Sequence, residues 1–335
     1  MNLLDRLIKD EKKNNKSLYS SGSYWDYKNK KTFKEIKKNG IQNFRGLTAG
    51  IGTSFADNIV LDIRNELNTK GKIVSKIFSL PFIKRIFNSQ LNITKNHIDD
   101  YIKNLSIVYK NNKNVQNLAN KFKFENTTEF GCLSKFELNQ KEYSIHYLNM
   151  ADRINKLSEN FDFRKIESFF EIGGGFGANI HFLLTNFPNI KKVVYLDIVP
   201  NIFVGTEYLK FHFGKIVKDY NYFINQENIT FEDNDKTEII CIPPWEIEKL
   251  EVNIDHFHNA ASFVEMPDHV IKNYVKFIKK FKTKEISLIS YGGYDKMTTF
   301  NPENLNSYFE NKLIKSWKNF VIDEYDKKLI YLTSK

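Results

Sequence analysis

The stretch FFEIGGGFGANIHFLL, residues 169–184, holds the residues whose types and spacing say most about chemistry. An apolar run reaches Glu171, glycines follow at Gly173, Gly174, Gly175 and Gly177, and a helical pattern starts at Ala178. Glycine is needed where a chain turns tightly and passes a ligand with no room for a Cβ. The N-terminus of the helix that follows offers free backbone N–H groups. A second carboxylate, Asp197, closes the next apolar run, where it can accept from both hydroxyls of a ribose, and Ile198 beside it offers an apolar surface to a base. Gly173, Gly175 and Ala178 also satisfy the spacing of a dinucleotide-binding turn, with Asp197 about 20 residues beyond. Glu171 separates the two readings. A carboxylate there repels a pyrophosphate and attracts a ligand that carries positive charge.

Positioning these groups requires strands that end where they stand. Ser168–Ile172, Lys192–Ile198, Glu238–Ile242, Ile254–Asn259 and Glu285–Tyr291 read as strands, and Val321–Ile322 with Leu329–Leu332 as a terminal hairpin. Between them, Ala178–Thr185, Phe203–Phe213 and Pro267–Phe281 have helical spacing. Strands alternating with helices predict an α/β class, a mostly parallel sheet covered on both faces, with ligands at the carboxyl ends of the strands. Before residue 150 the strand rhythm is absent. Leu3, Leu4, Leu7 and Ile8 form a helical stripe, an aromatic cluster follows at Tyr24, Trp25 and Tyr27, and GLTAGIGTS (46–54) marks a loop. Residues 96–120 and Ile145–Leu157 read as helix. The expected organisation is a mainly helical cap over 1–150 and a ligand-binding domain over 151–335.

Glu171-Ile-Gly173-Gly-Gly175-Phe-Gly177 resembles the E-x-G-x-G-x-G first motif of the class I S-adenosylmethionine (SAM) methyltransferases. The resemblance implies a Rossmann-like fold with a seven-stranded sheet, and SAM as cofactor. It implies cofactor contacts from Glu171, Gly173, Gly175, Gly177, Asp197 and Ile198. SAM carries a sulfonium and an ammonium, which suits a carboxylate at position 171. Further stretches are similar to a narrower group, the sugar O-methyltransferase family associated with bacterial surface-polysaccharide pathways. They are YLDIVPNIFVGTEYL (195–209), IICIPPW (239–245) and IDHFHNAASFVEMP (254–267), with Trp25 and NFRG (43–46) upstream. That likeness is strong over 168–291 and loose before it.

The likeness implies a hydroxyl acceptor lying past the fourth strand, where Asn259, Ser262 and Glu265 follow. An alcohol is a poor nucleophile, so a base should take its proton. Glu265 is the best placed carboxylate and His258 the best placed imidazole; His146 is the next candidate. Asn259 and Ser262 are expected at the acceptor, together with Trp25 for a sugar face and Arg45 for a phosphate. His256 and His258 would supply only two ligands, with no third at a telling spacing, so no metal is expected. Charge divides along the chain: residues 1–150 carry a balance of +12 and residues 151–335 a balance of −2. A basic half beside a neutral one favours an anionic acceptor, a nucleotide-linked, lipid-linked or polymeric sugar. No nucleic acid is expected.

Cys132 and Cys241 have neither zinc spacing nor the number of a disulfide scaffold, which fits a reducing cytoplasm. The start MNLLDRLIKDEKK lacks a leader's apolar run, and no stretch approaches the roughly 20 apolar residues of a transmembrane helix. The basic segment Ile73–Phe87 is compatible with peripheral membrane contact or with packing on the protein. The competing functions are a methyltransferase with a non-sugar acceptor, an NAD-dependent sugar oxidoreductase, and a non-catalytic binding protein. A Tyr-x-x-x-Lys pair would mark the oxidoreductase; Tyr220 and Tyr291 lack that Lys and Tyr208 has His212 in its place. Nothing in the sequence fixes the oligomeric state.

Overall fold

The computed structural model describes residues 2–14, 17–42, 44–45, 110–132, 135–291, 305–309, 313–319 and 328–334. The stretch 46–54, the basic segment 73–87 and the pair Val321–Ile322 lie outside the described residues.

The N-terminal region is mainly helical where described. Helix α1 (Leu3–Asn14) buries Leu3, Leu4 and Leu7, the expected stripe. Helix α2 (Gly22–Asn39) runs through the aromatic cluster, which the sequence does not show as helix. Its buried face is Trp25, Asn29, Thr32 and Ile36. The spacing is helical, but two of the four are polar, so hydropathy alone misses it. Helix α3 (Lys113–Lys121) starts after Asn112, whose side chain accepts from the N–H groups of Asn114 and Val115. Residues 96–109 of the helix expected over 96–120 lie outside the described residues, and within the remainder Asn112 interrupts it. Strands β1 (Phe136–Leu138) and β2 (Lys141–Tyr143) form an antiparallel hairpin, too short to leave a periodic signal. Helix α4 (Ile145–Leu157) has the predicted bounds.

From here the chain alternates. The elements are β3 (Ser168–Ile172), α5 (Ala178–Asn186), β4 (Lys192–Leu196), α6 (Asn201–Phe213), β5 (Val217–Lys218), α7 (Tyr220–Phe223) and β6 (Glu238–Ile242). They continue with β7 (His256–Ala260), α8 (Asp268–Lys280), β8 (Glu285–Tyr291), α9 (Leu305–Tyr308), β9 (Ile314–Asn319) and β10 (Lys328–Ser334). One sheet runs in the order β5-β6-β4-β3-β7-β8-β10-β9. It is parallel from β5 to β8, and β10 is antiparallel to both its neighbours. This is the mostly parallel, Rossmann-like sheet of the class I methyltransferase fold, with the two-residue strand β5 added outside β6. The terminal hairpin pairs β10 with β9, so its first arm lies N-terminal to the expected Val321–Ile322.

Both faces of the sheet are covered. Phe169, Val193, Tyr195, Ile239 and Cys241 face one core, which α1, α4, α5 and α6 complete. Phe170, Val194, Leu196, Ile240, Ile242 and Phe257 face the other, completed by α8. Neighbours in sequence go to opposite sides because side chains alternate along a strand, so strands buried on both faces read as continuous apolar runs. Leu3, Leu4 and Leu7 of α1 and Ile36 of α2 belong to the first core, so the N-terminal helices pack directly on the sheet domain. The strand order reverses at β3, with β4 and β6 to one side and β7 and β8 to the other. A crevice opens there, over the carboxyl ends of the strands.

Candidate active site

A cleft of about 160 Å³ lies over the ends of β3, β4 and β7. Its floor is the glycine turn after β3. Gly173 and Gly175 sit at φ +74° and +64°, a left-handed conformation that strains other residues. Space demands glycine as well. A Cβ on Gly173 would lie 2.1 Å from Ser262 Oγ, and one on Gly174 would lie 2.6 Å from Glu171 Oε2. Gly177, at φ +82°, begins α5 with the Leu209 side chain 3.0 Å from where its Cβ would be. Tyr195 of β4 donates to the Gly175 carbonyl at 2.6 Å. It reaches the turn only because Gly205 of α6 has no side chain; a Cβ there would lie 2.2 Å from the Tyr195 hydroxyl.

Glu171 and Asp197 flank this turn, both almost fully buried. Glu171 Oε1 accepts from Asn179 Nδ2 at 3.1 Å. Asp197 accepts from the Gly175 N–H at 2.8 Å and the Ile198 N–H at 2.7 Å. Burial pushes the Glu171 carboxyl up to about 8, against its bond to Asn179 and with help from the Asp197 charge. Burial likewise lifts Asp197 to about 7, against its backbone bonds to Gly175 and Ile198. Among the described residues, four acceptor atoms around the cleft are buried with no hydrogen-bond partner: Glu171 Oε2, Asn179 Oδ1, Asn201 Oδ1 and Asn149 Oδ1. Unsatisfied buried acceptors beside desolvated carboxylates match a ligand rich in donors and positive charge. A pyrophosphate would disfavour the ionised form of both carboxyls still further, whereas a cation favours it.

The far wall is the segment after β7. Glu265 lines the cleft, and its Oε2 accepts from Trp25 Nε1 of α2 at 3.0 Å. Burial raises Glu265 to about 7, while the nearby Lys28 charge and the Trp25 bond pull it down. Ser262 also lines the cleft. Its Oγ donates to the Ile172 carbonyl at 3.2 Å and accepts from Asn259 Nδ2 at 2.5 Å. Asn259 Nδ2 also donates to the Ile172 carbonyl at 2.8 Å, and its Oδ1 accepts from the Phe263 N–H. Asn259 is therefore a clamp joining the ends of β3 and β7 behind the wall, and it is not among the cleft-lining residues.

Two expected contacts stand elsewhere. His258 is buried under the sheet with His256; their Nδ1 and Nε2 lie 2.8 and 2.7 Å from Ser287 Oγ. Strand alternation places both rings in an aromatic layer with Phe169, away from the cleft, and burial drives His258 down to about 3. Arg45 is fully buried behind the glycine turn, its Nη2 donating to the Thr127 carbonyl at 2.8 Å. Its guanidinium lies 5.2 Å from the Phe176 ring centre and 5.8 Å from that of Tyr147, and it does not line the cleft. Trp25 is at the cleft, as expected, but its indole edge is committed to Glu265. Ile198 lines the cleft next to Asp197.

Of one further wall the sequence singled out only His146. Helix α4 turns His146, Asn149, Met150 and Arg153 into the cleft. Their spacing is that of one helix face, and a polar face in an otherwise buried helix is the signal that could have revealed it. His146, already the reserve base, sits there with its pKa lowered to about 3 by burial and the charges of Arg153 and Arg45. Among the described residues, no group of three or more His, Cys, Asp or Glu could hold a metal ion, and no helix is long and apolar enough to cross a membrane.

No family model and no curated protein matches the chain. Among solved structures it is similar to the mitomycin 7-O-methyltransferase MmcR, with 11% identity, a TM-score of 0.37, and 57% of each chain covered. A second likeness is to magnesium protoporphyrin IX methyltransferase (ChlM) from Synechocystis PCC 6803 with bound SAM, at 9% identity and a TM-score of 0.37, covering 57% of this chain and 80% of that one. A third is to a SAM dependent methyltransferase from Aquifex aeolicus, at 12% identity and a TM-score of 0.36, covering 54% and 89%. The chain spans 57% of the mitomycin enzyme's length and 58% of that of the pyocyanin biosynthetic protein PhzM. Likenesses of this strength speak to neither activity nor substrate, so the chemistry rests on the groups in the cleft.

Proposed function

We propose that this chain is a SAM-dependent O-methyltransferase whose acceptor is a sugar hydroxyl. The observation that carries the cofactor is the cleft's surplus of buried acceptors, with Glu171 Oε2 unsatisfied beside the glycine turn. Bound there, SAM supplies a methyl group on a cationic sulfur. Glu171 and the Asn179 and Asn149 carbonyls would meet the ammonium, Asp197 the ribose hydroxyls, and Ile198 the adenine. The left-handed turn at Gly173 and Gly175 would let backbone approach the ligand closely.

Glu265 is the proposed base. It lines the same cleft, and its pKa of about 7 matches a group that must be ionised at neutral pH yet still hold a proton. His146 and His258, driven to about 3, are too weakly basic for that task. The remaining residues would orient the acceptor and keep water from its oxygen.

A sugar acceptor is supported by the likeness of residues 195–209, 239–245 and 254–267 to the polysaccharide-pathway family, and by the basic balance of residues 1–150. The division into a cap over 1–150 and a catalytic domain over 151–335, and a place in the cytoplasm, belong to the same proposal. The test is incubation with methyl-labelled SAM and a panel of nucleotide sugars, lipid-linked sugars and glycan fragments, read by mass spectrometry. A labelled methyl on a sugar oxygen supports the reading. Calorimetry that shows NAD bound and SAM not bound overturns it.

A further inference from the structure

We propose that Trp25 and Lys28 of α2 aim and polarise the Glu265 carboxylate, so that the N-terminal helix is part of the reaction centre. This rests on the reading of Glu265 as the base. Three observations place the device. Trp25 is buried, lines the cleft, and donates its indole N–H to Glu265 Oε2 at 3.0 Å. The Lys28 ammonium lies 5.3 Å from the Trp25 ring centre, over its face. Lys28 is also close enough to Glu265 for each charge to act on the other's ionisation. Cation, indole and carboxylate thus form one chain from α2 to the segment after β7. The start of α2 packs on this segment, with 3.2 Å from the would-be Cβ of Gly22 to Pro267 Cδ.

The consequence is electrostatic and geometric. An N–H bond to a carboxylate favours its charged form, and a cation held over the indole face adds to that bias. The donor also fixes one carboxylate oxygen, which leaves the other as the oxygen that meets the acceptor hydroxyl. Opposing charge stands at the β4 end, where the Glu265 charge helps raise the Asp197 carboxyl. Glu171 from β3 and His146 and Arg153 from α4 line the same cleft. Of the α2 pair, Trp25 acts on Glu265 through its hydrogen bond and Lys28 through its charge.

The test titrates the carboxyl itself in the full-length protein, so no acceptor is required. Selective ¹³C labelling of glutamate side chains gives a resonance for Glu265, assigned by its loss in Glu265→Gln. Trp25→Phe keeps the ring and removes the donor; Lys28→Met removes the cation and keeps the stem. Each should raise the Glu265 midpoint by about one pH unit, while SAM affinity by calorimetry stays within about twofold. Once the panel above has identified an acceptor, the rising limb of kcat against pH should move by the same amount. Unmoved midpoints in both variants overturn the proposal, even if Glu265→Gln lowers kcat. A normal kcat in Glu265→Gln overturns the base reading itself, whatever the midpoints do. Should Trp25→Phe fail to fold, Lys28→Met alone decides.

Discussion

Replacing Glu171 by Gln should make the ligand-free protein more stable and its cofactor binding weaker. The carboxyl is 2% exposed, with one oxygen held by Asn179 and the other without a partner. Folding raises its pKa from 4.5 to about 8, chiefly by burial. Folding therefore favours the neutral acid. Its contribution is fully in place below about pH 4.5 and is lost as pH rises through about 8. At pH 7 the loss amounts to ~3 kcal/mol, approaching ~5 kcal/mol above pH 8, taking about 1.4 kcal/mol per pH unit. Gln is neutral in both states and keeps the carbonyl that Asn179 binds, but it turns an unpaired donor toward the cleft. Allowing for that, a gain of about 2 kcal/mol at pH 7 is expected. At roughly 2 °C per kcal/mol for a chain of this size, Tm should rise by about 4 °C. The difference should grow at pH 8.5, cross zero between about pH 5 and 6, and turn slightly against the variant near pH 4.5, where only the unpaired donor remains. With saturating SAM the advantage should shrink by about 1.5–3 kcal/mol, because the variant lacks the charge that meets the ammonium. Scanning fluorimetry at three pH values with and without SAM, and calorimetry for Kd, read both effects. A variant no more stable than wild type at pH 8.5, or one that binds SAM equally well, would refute the reasoning.

Asp197→Ala removes the acceptor that holds the Gly175 and Ile198 N–H groups and would meet the ribose. SAM affinity by calorimetry should fall by about 1.5–3 kcal/mol, and an unchanged Kd would remove Asp197 from the site. Gly173→Ala forces a Cβ to 2.1 Å from Ser262 Oγ at φ +74°. Strain and overpacking together should cost about 2–4 kcal/mol in denaturant unfolding, together with loss of SAM binding. Glu265→Gln should lower kcat about 10²-fold with SAM affinity nearly unchanged. His258→Ala should instead lose about 2–4 kcal/mol of stability by leaving a cavity and stripping a partner from Ser287, and retain kcat in the folded fraction. A folded His258→Ala enzyme with kcat lowered 10²-fold would return the imidazole to the reaction.

The glycine turn was readable from the chain alone because each requirement there is local. A strand must end at Glu171, the backbone must reach φ +74° and +64°, and a helix must start, all within ten residues. The strands β3, β6 and β8 have their predicted bounds for the same reason: runs such as EIICI, buried on both faces, carry their signal in every residue. What lies past the end of β7 was less legible. Adjacent positions of a strand face opposite sides of the sheet, so His258 and Asn259 could each be drawn to the acceptor from sequence, while the fold sends one into the aromatic layer and makes the other a clamp. Arg45 and Trp25 depend on contacts far away in the chain. A guanidinium that sequence would put on a phosphate is buried over Phe176, and an indole expected to stack on a sugar donates to a carboxylate 240 positions away. Local backbone demands and hydrophobic periodicity are written residue by residue; the partner of a polar side chain is set by which elements the sheet brings together, and only the tertiary structure decides that.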